Sequence, residues 1–159
     1  MENEENKLAY LFSGLNSREA MMGKSLRLSM LVTDIGFLVY WSIVLLGLLP
    51  SAFAYKDFDD PIVMAWNLSF IPLDFVLSII GLLSIALYQK KHPGWLPLCI
   101  VSLCLTFCAG LQAISFWALR GDFDIGWWIP NLFLIVYPII FIPRLIKVGL
   151  ESEFRGGTE

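Results

Sequence analysis

The stretch that decides the fold is residues 67–86, NLSFIPLDFVLSIIGLLSIA. It belongs to a run of about 26 mostly apolar residues, 63–88, and about 20 such residues in a helix are enough to cross a bilayer. Asp74 lies near the middle of this run. Because an ionisable side chain is costly in hydrocarbon, we expect Asp74 to face protein or water, and we treat it as a functional candidate.

Polar and small side chains recur on one face of this helix. Asn67, Asp74 and Gly81 are spaced seven residues apart, and two serines lie close to the same stripe. Small residues let membrane helices approach closely, and hydroxyl groups form hydrogen bonds between them. The predicted packing residues are Ser78, Gly81 and Ser84 in this run, together with Gly36 and Tyr40 in the first apolar run.

The composition extends this interpretation to the whole chain. Of the 159 residues, 57% are hydrophobic and 16% are charged, and the mean hydropathy is +0.70. A soluble domain carries roughly 25% charged residues, spread along its sequence. Here the charges gather between four apolar blocks, which predicts an all-α integral membrane protein, an antiparallel four-helix bundle. The predicted membrane domain is 28–148, with spans at 28–53, 63–88, 95–119 and 127–148.

The two flanks of this domain are predicted to differ from it. Residues 1–27 form a cytoplasmic segment in which Leu8, Leu11, Phe12 and Leu15 follow a helical spacing. This segment is either an amphipathic helix on the membrane surface or a lead-in to the first span. Residues 149–159 are predicted to be a disordered cytoplasmic tail.

The basic residues predict the orientation. Nine of the eleven fall on one side of the four spans: four in residues 1–27, two in the loop QKKHPG at 89–94, and three from the inner end of the fourth span onward, Arg144, Lys147 and Arg155. Only Lys56 and Arg120 fall on the other side. By the positive-inside rule both termini are predicted to be cytoplasmic. The outer loops then carry five carboxylates, Asp57, Asp59, Asp60, Asp122 and Asp124.

Counting residues from the loops places the intramembrane polar side chains by depth. Asn67, Gln112 and Asn131 fall in the outer half of three helices, and Asp74 lies beneath them. Asp34, a secondary candidate, falls in the inner half. One interpretation is an outward-facing polar layer in which Asp74, Asn67, Gln112 and Asn131 bind an ion or a small amphipathic ligand. The alternative is an accessory or structural membrane subunit, in which these residues serve helix pairing only.

The motifs of catalysis do not appear in the sequence. It has one histidine, no metal-ligand spacing, no glycine-rich phosphate loop and no nucleophile elbow. Its three cysteines form no CxxC pair. We therefore predict no enzyme, no metal and no cofactor. The predicted partners are the lipid bilayer and either a second copy or another membrane protein, and an acidic chain offers nothing for nucleic acid.

Two stretches resemble a known family. TDIGFLVYW at 33–41 and MAWNLSFIPLDFVLSIIGLLS at 64–84 are similar to those of the small bacterial YvaD-like four-span membrane proteins. The resemblance extends from about residue 28 to residue 147. It implies a multi-pass protein of the bacterial cytoplasmic membrane and supplies no catalytic residues.

Overall fold

The chain folds into helices. The computed structural model describes residues 22–48 and 56–156, and every regular element in those ranges is an α-helix. Helices α2 and α3 follow one another directly and together have the length of one membrane span, so four helical stretches are long and apolar enough to cross a membrane. The helices are α1 Lys24–Leu45, α2 Pro61–Leu68, α3 Ile71–Gln89, α4 Trp95–Leu119 and α5 Ile125–Gly156. The all-helical prediction is confirmed.

Side-chain contacts show that neighbouring helices are antiparallel. On α1 and α3, Trp41 contacts Asp74 while Asp34 lies against Gly81, so the numbering runs in opposite directions. The same holds for α3 and α4, where Ser84 bonds to the carbonyl of Trp95 and Leu77 receives a bond from Ser102. Helices α4 and α5 also pack along their length, and a few contacts between α1 and α5 close the bundle.

The second span is interrupted where the sequence places a proline. Helix α2 ends at Leu68, a turn follows at Ser69 and Phe70, and Pro72 lies in the first turn of α3. Proline has no N–H group, so it fits a helix start better than a helix interior. The break puts Asp74 in the first turn of α3, at the end of the helix where the dipole favours negative charge.

Helix α1 ends earlier than predicted. The sequence predicts a first span that extends to residue 53, whereas the helix ends at Leu45. Gly47 adopts a left-handed backbone conformation with φ of 66°. Its N–H bonds to the carbonyl of Val44 and that of Leu48 bonds to the carbonyl of Ile43, which is the Schellman pattern of a helix end. The sequence prediction followed the continuous apolar composition of the first span and gave no weight to Gly47 as a helix end.

Helix α5 extends further than predicted. The sequence predicts a disordered tail at 149–159, but α5 is one helix as far as Gly156. Pro130, Pro138 and Pro143 lie inside it. Membrane-type helices tolerate proline where packing and neighbouring groups compensate for the lost hydrogen bond, and Pro138 is fully buried here. The predicted amphipathic segment around Leu8 lies outside the described residues.

The outer surface of the bundle is apolar. Leu28, Ile62 and Leu119 are 63%, 80% and 91% exposed, and large aliphatic side chains on every helix behave alike. A soluble protein rarely shows continuous apolar surface on this scale. A lipid environment accounts for it, since hydrocarbon tails solvate such a surface.

Candidate ligand-binding cleft

A cleft opens between the helices at one end of the bundle. Its empty space is about 470 Å³, part of which is open to the surroundings. Three residues that the sequence assigns to the polar layer, Asn67, Asp74 and Asn131, line it. The other lining residues are Phe37, Tyr40, Trp41, Trp66, Phe70, Ala109, Ala113, Trp117, Trp127 and Leu134.

Asp74 is held in place by one hydrogen bond. Its side chain is only 2% exposed, and the Trp41 indole Nε1 donates to its Oδ2 over 2.8 Å. Its other oxygen, Oδ1, has no hydrogen-bond partner among the described residues. A buried polar atom of this kind is costly to leave unpaired, so native sites usually satisfy it with protein, water or ligand. Asp74 therefore presents an oriented carboxylate with one oxygen available.

Aromatic rings form most of the wall. The Trp66 and Trp117 rings lie 5.7 Å apart at 88°, and those of Tyr40 and Trp127 lie 6.4 Å apart at 75°. Rings at these distances and angles form edge-to-face pairs. The Phe116 ring stacks on Trp66 with centroids 3.6 Å apart and covers one face of it. The wall therefore combines apolar area with several π systems.

Two amides complete the polar lining. Asn67 and Asn131 are both half-buried. Asn131 Nδ2 donates to the carbonyl of Trp127 over 2.7 Å, which uses one of its donor hydrogens within its own helix. Both amides therefore contribute polar atoms to a cleft that is otherwise aromatic.

Gln112 is the exception among the predicted layer residues. Its side chain is exposed on the outside of α4, and it does not line the cleft. The face of α4 that enters the bundle is formed instead by Ala109, Ala113 and Trp117. Depth counting placed Gln112 at a suitable height, but depth carries no information on rotation about the helix axis.

The end of the bundle nearest the cleft is acidic. We call the loops 56–60 and 120–124 the acidic end, because together they contain five aspartates and only two basic residues. Both basic residues are paired there, Lys56 with Asp122 at 3.1 Å and Arg120 with Asp57. Asp60 caps the start of α2 by accepting from the N–H groups of Ile62 and Val63. The acidic end therefore retains excess negative charge.

Asp34 lies apart from the cleft. It is 1% exposed, and a Cβ atom added to Gly81 would lie 2.8 Å from the Asp34 Cγ and from the Ser102 Oγ. Neither carboxylate oxygen has a hydrogen-bond partner in the described part of the chain. Gly81 faces Asp34 seven residues beyond Asp74, or about 10 Å along α3. The structure thus separates the two carboxylates by about the depth that the sequence predicts.

The predicted packing residues fall into two groups. Ser78, Gly81 and Ser84 are buried within the bundle, and Tyr40 lies in the wall of the cleft. Gly36 is exposed, and a Cβ atom added there would meet nothing within 4 Å. Gly36 therefore does not serve packing within the described bundle, because α1 turns that side outward.

Sequence reasoning missed the aromatic wall. The signal was present as helical spacing: Phe37, Tyr40 and Trp41 share one face of α1, and Trp66 and Phe70 share one face of the second span. Aromatic residues near a helix end also mark a membrane interface, so the spacing by itself does not single out a cleft.

The fold and the cleft together define a class of protein. Its members are small and all-helical, with four apolar helical stretches long enough to cross a membrane and a cleft between them that contains polar residues. The chain belongs to the DUF5360 family, described as a family of unknown function, whose family model matches residues 26–152. It is similar to a Bacillus subtilis (strain 168) protein named Uncharacterized protein YvaD, with 45% identity over 128 residues, which is 80% of this chain and 96% of the relative. The resemblance inferred from the sequence is confirmed. No solved structure matches the chain.

Proposed function

We propose that this protein is a multi-pass protein of the bacterial cytoplasmic membrane that binds an ion or a small amphipathic ligand in an outward-facing cleft. The observation that carries the proposal is Asp74, a carboxylate at the lining of the cleft with one oxygen free of hydrogen bonds among the described residues. The site is built on helices, so its geometry is set by packing before any ligand arrives.

A purely structural role explains Asp74 less well. Asparagine has nearly the same shape and would accept the Trp41 hydrogen bond without introducing an ionisable group. Ionisable residues inside a membrane are costly and usually mark ligand, ion or proton sites. The broken span adds support, because binding sites of membrane transporters are commonly built where a helix is interrupted near the bilayer midplane.

The outward direction of the cleft is inferred from charge. The opposite end of the bundle contains Lys90 and Lys91 in the α3–α4 loop, with Lys24 and Arg27 at the start of α1. Basic residues stay on the cytoplasmic side during insertion. The acidic end, and the cleft beside it, would then face outward with both termini inside.

The proposal is tested by the thermal stability of the purified protein in lipid nanodiscs. A panel of inorganic cations and small amphipathic compounds is screened, and a ligand raises the melting temperature by mass action. For any compound that stabilises the wild type, Asp74→Asn should abolish most of that shift. Asp34→Asn is the matched control, because Asp34 is equally buried yet lies outside the cleft. Equal shifts in wild type and Asp74→Asn would contradict the proposal.

A second candidate function, that of an accessory membrane subunit, is supported by a separate observation on α1. The exposed Gly36, with nothing near it in the bundle, lies beside Val32, Ile35 and Val39 on the outside of α1. Small residues on an outward face are typical of contacts between membrane helices. An accessory subunit would use this face, whereas Gly81 is committed to contacts within the bundle. Gly36→Ile should then abolish co-purification of a partner while leaving the melting temperature unchanged.

A further inference from the structure

We propose that the ligand of the cleft is an organic ammonium cation, held by the Asp74 carboxylate and the aromatic wall. This inference rests on the proposed function, since it names the class of molecule that the same cleft would take. Two groups carry it: a single buried carboxylate with an available oxygen, and seven aromatic side chains around it. The aromatic side chains are Phe37, Tyr40, Trp41, Trp66, Phe70, Trp117 and Trp127.

The lining is too poor in oxygen for a magnesium or calcium ion. Magnesium and calcium take six or more oxygen ligands, from several carboxylates, carbonyls and waters. The cleft offers the carboxylate of Asp74, the amides of Asn67 and Asn131 and the Tyr40 hydroxyl, spread over four helical stretches. Most of the remaining wall is aromatic and has no oxygen atoms to replace the water molecules that surround such an ion in solution.

The charge of the lining excludes anions. Among the described residues that line the cleft, Asp74 is the one acidic residue, and none of them is lysine, arginine or histidine. A neutral apolar compound would suit the rings but would leave Asp74 buried beside it without compensation. A cation with an apolar surface satisfies both parts of the lining.

Aromatic rings recognise such cations directly. The negative face of a tryptophan or tyrosine ring attracts an ammonium group within about 6 Å, and several rings at steep angles form the cages that bind quaternary ammonium groups. Trp66 and Trp117, and likewise Tyr40 and Trp127, meet at the steep angles found in such cages. The face of Trp66 that Phe116 does not cover remains for a cation. At the acidic end the guanidinium of Arg120 already lies 5.8 Å from the Trp117 ring.

The acidic end favours the arrival of a cation. Its five aspartates outnumber Lys56 and Arg120, and both basic groups are paired with carboxylates. Loops of one sign around an apolar cleft concentrate ligands of the opposite sign and raise their association rate. The charge outside the cleft and the charge within it therefore select the same class of ligand.

The experiment compares two probes of one shape, choline and its uncharged isostere 3,3-dimethylbutan-1-ol. Binding to the full-length protein in nanodiscs is followed by tryptophan fluorescence, since four of the six tryptophans line the cleft. Choline should bind at least about tenfold more tightly than the alcohol. Asp74→Asn should reduce choline affinity by about tenfold or more and leave alcohol binding unchanged. Lowering the pH should weaken choline binding more in the wild type than in Asp74→Asn, because protons compete with choline for the Asp74 carboxylate.

Two tryptophan variants distinguish loss of the aromatic wall from a general effect on folding. Trp66→Leu removes one wall and should weaken choline binding more than alcohol binding. Trp95→Phe is the control, because Trp95 is buried at the opposite end of α4 and lies outside the cleft. Choline affinity should be unchanged in this variant.

The outcomes distinguish this inference from the proposed function. Equal affinity for the two probes overturns the inference and leaves a cleft for apolar ligands. Absence of choline binding, when another compound stabilises the wild type but not Asp74→Asn, also overturns the inference alone. If choline and the whole panel fail to bind, both proposals are overturned.

Discussion

Gly81 shows most clearly how a single residue shapes this bundle. Asp34 of α1 and Ser102 of α4 converge on the surface of α3 at the point where Gly81 has no side chain. An added Cβ atom would lie 2.8 Å from the Asp34 Cγ and from the Ser102 Oγ, closer than real contacts allow. The absence of one methyl group therefore lets three helices meet.

Gly81→Ala is expected to destabilise the protein by about 1–3 kcal/mol, since overpacking a tight contact forces side chains or backbone to shift. The measurement is reversible unfolding in mixed detergent micelles. Gly36→Ala is the matched control, because nothing lies within 4 Å of its added Cβ. In a helix this change should be neutral or stabilise by about 0.5–1 kcal/mol. Equal effects of the two substitutions would disprove the close contact at Gly81.

At the scale of elements, two short interruptions determine the shape of the acidic end. The turn before Pro72 starts a new helix at Ile71 and places Asp74 in its first turn. The left-handed Gly47 ends α1 at Leu45, shortly beyond Trp41, the hydrogen-bond donor to Asp74. The two interruptions place the ends of three helices around the cleft.

A prediction at the end of α1 separates the effect of side-chain size from that of backbone conformation at Gly47. Gly47→Ala should destabilise the protein by about 1–2 kcal/mol, because an alanine resists the left-handed conformation. Gly47→Asn should cost less, although asparagine is larger, because it adopts this conformation more readily. No atom of the described residues lies within 4 Å of a Cβ atom added at Gly47. A larger loss of unfolding free energy for asparagine than for alanine would contradict this account.

At the scale of the whole molecule, the apolar exterior and the difference in charge between the two ends fit a multi-pass membrane protein. Exposed aliphatic side chains such as Val76, Ile79 and Leu83 cover the outside of α3. The loop of 90–94 at one end is basic, and the acidic end carries the five aspartates. This asymmetry predicts one orientation in the membrane.

Cysteine labelling tests that orientation in intact cells. In a variant with Cys99, Cys104 and Cys108 replaced by alanine, a single cysteine is placed at His92 or at Phe123. A membrane-impermeant thiol reagent should label the cysteine at 123 in intact cells, and the one at 92 only after the membrane is opened. The reverse pattern would show the opposite topology and make the cleft face inward.

The accuracy of the sequence predictions depended on which physical quantity decided each feature. Helix α4, Trp95–Leu119, has the bounds that the sequence predicts for the third span, because hydropathy changes sharply at both of its ends. Helix α1 ends before the predicted end of the first span, because the backbone conformation of Gly47 ends the helix within a continuous apolar run. The placement of Gln112 was wrong because depth was known while the rotation of α4 was not.

The sequence by itself determined that the chain is helical, that its helices are long and apolar enough for a membrane, and that Asp74 is exceptional, because hydropathy, charge and proline act locally. Only the tertiary structure decided that Trp41 holds Asp74, that aromatic rings of α1, α2, α4 and α5 enclose it, and that Asp34 lies against Gly81 instead. These facts depend on the rotation and crossing of whole helices, which many weak contacts settle together.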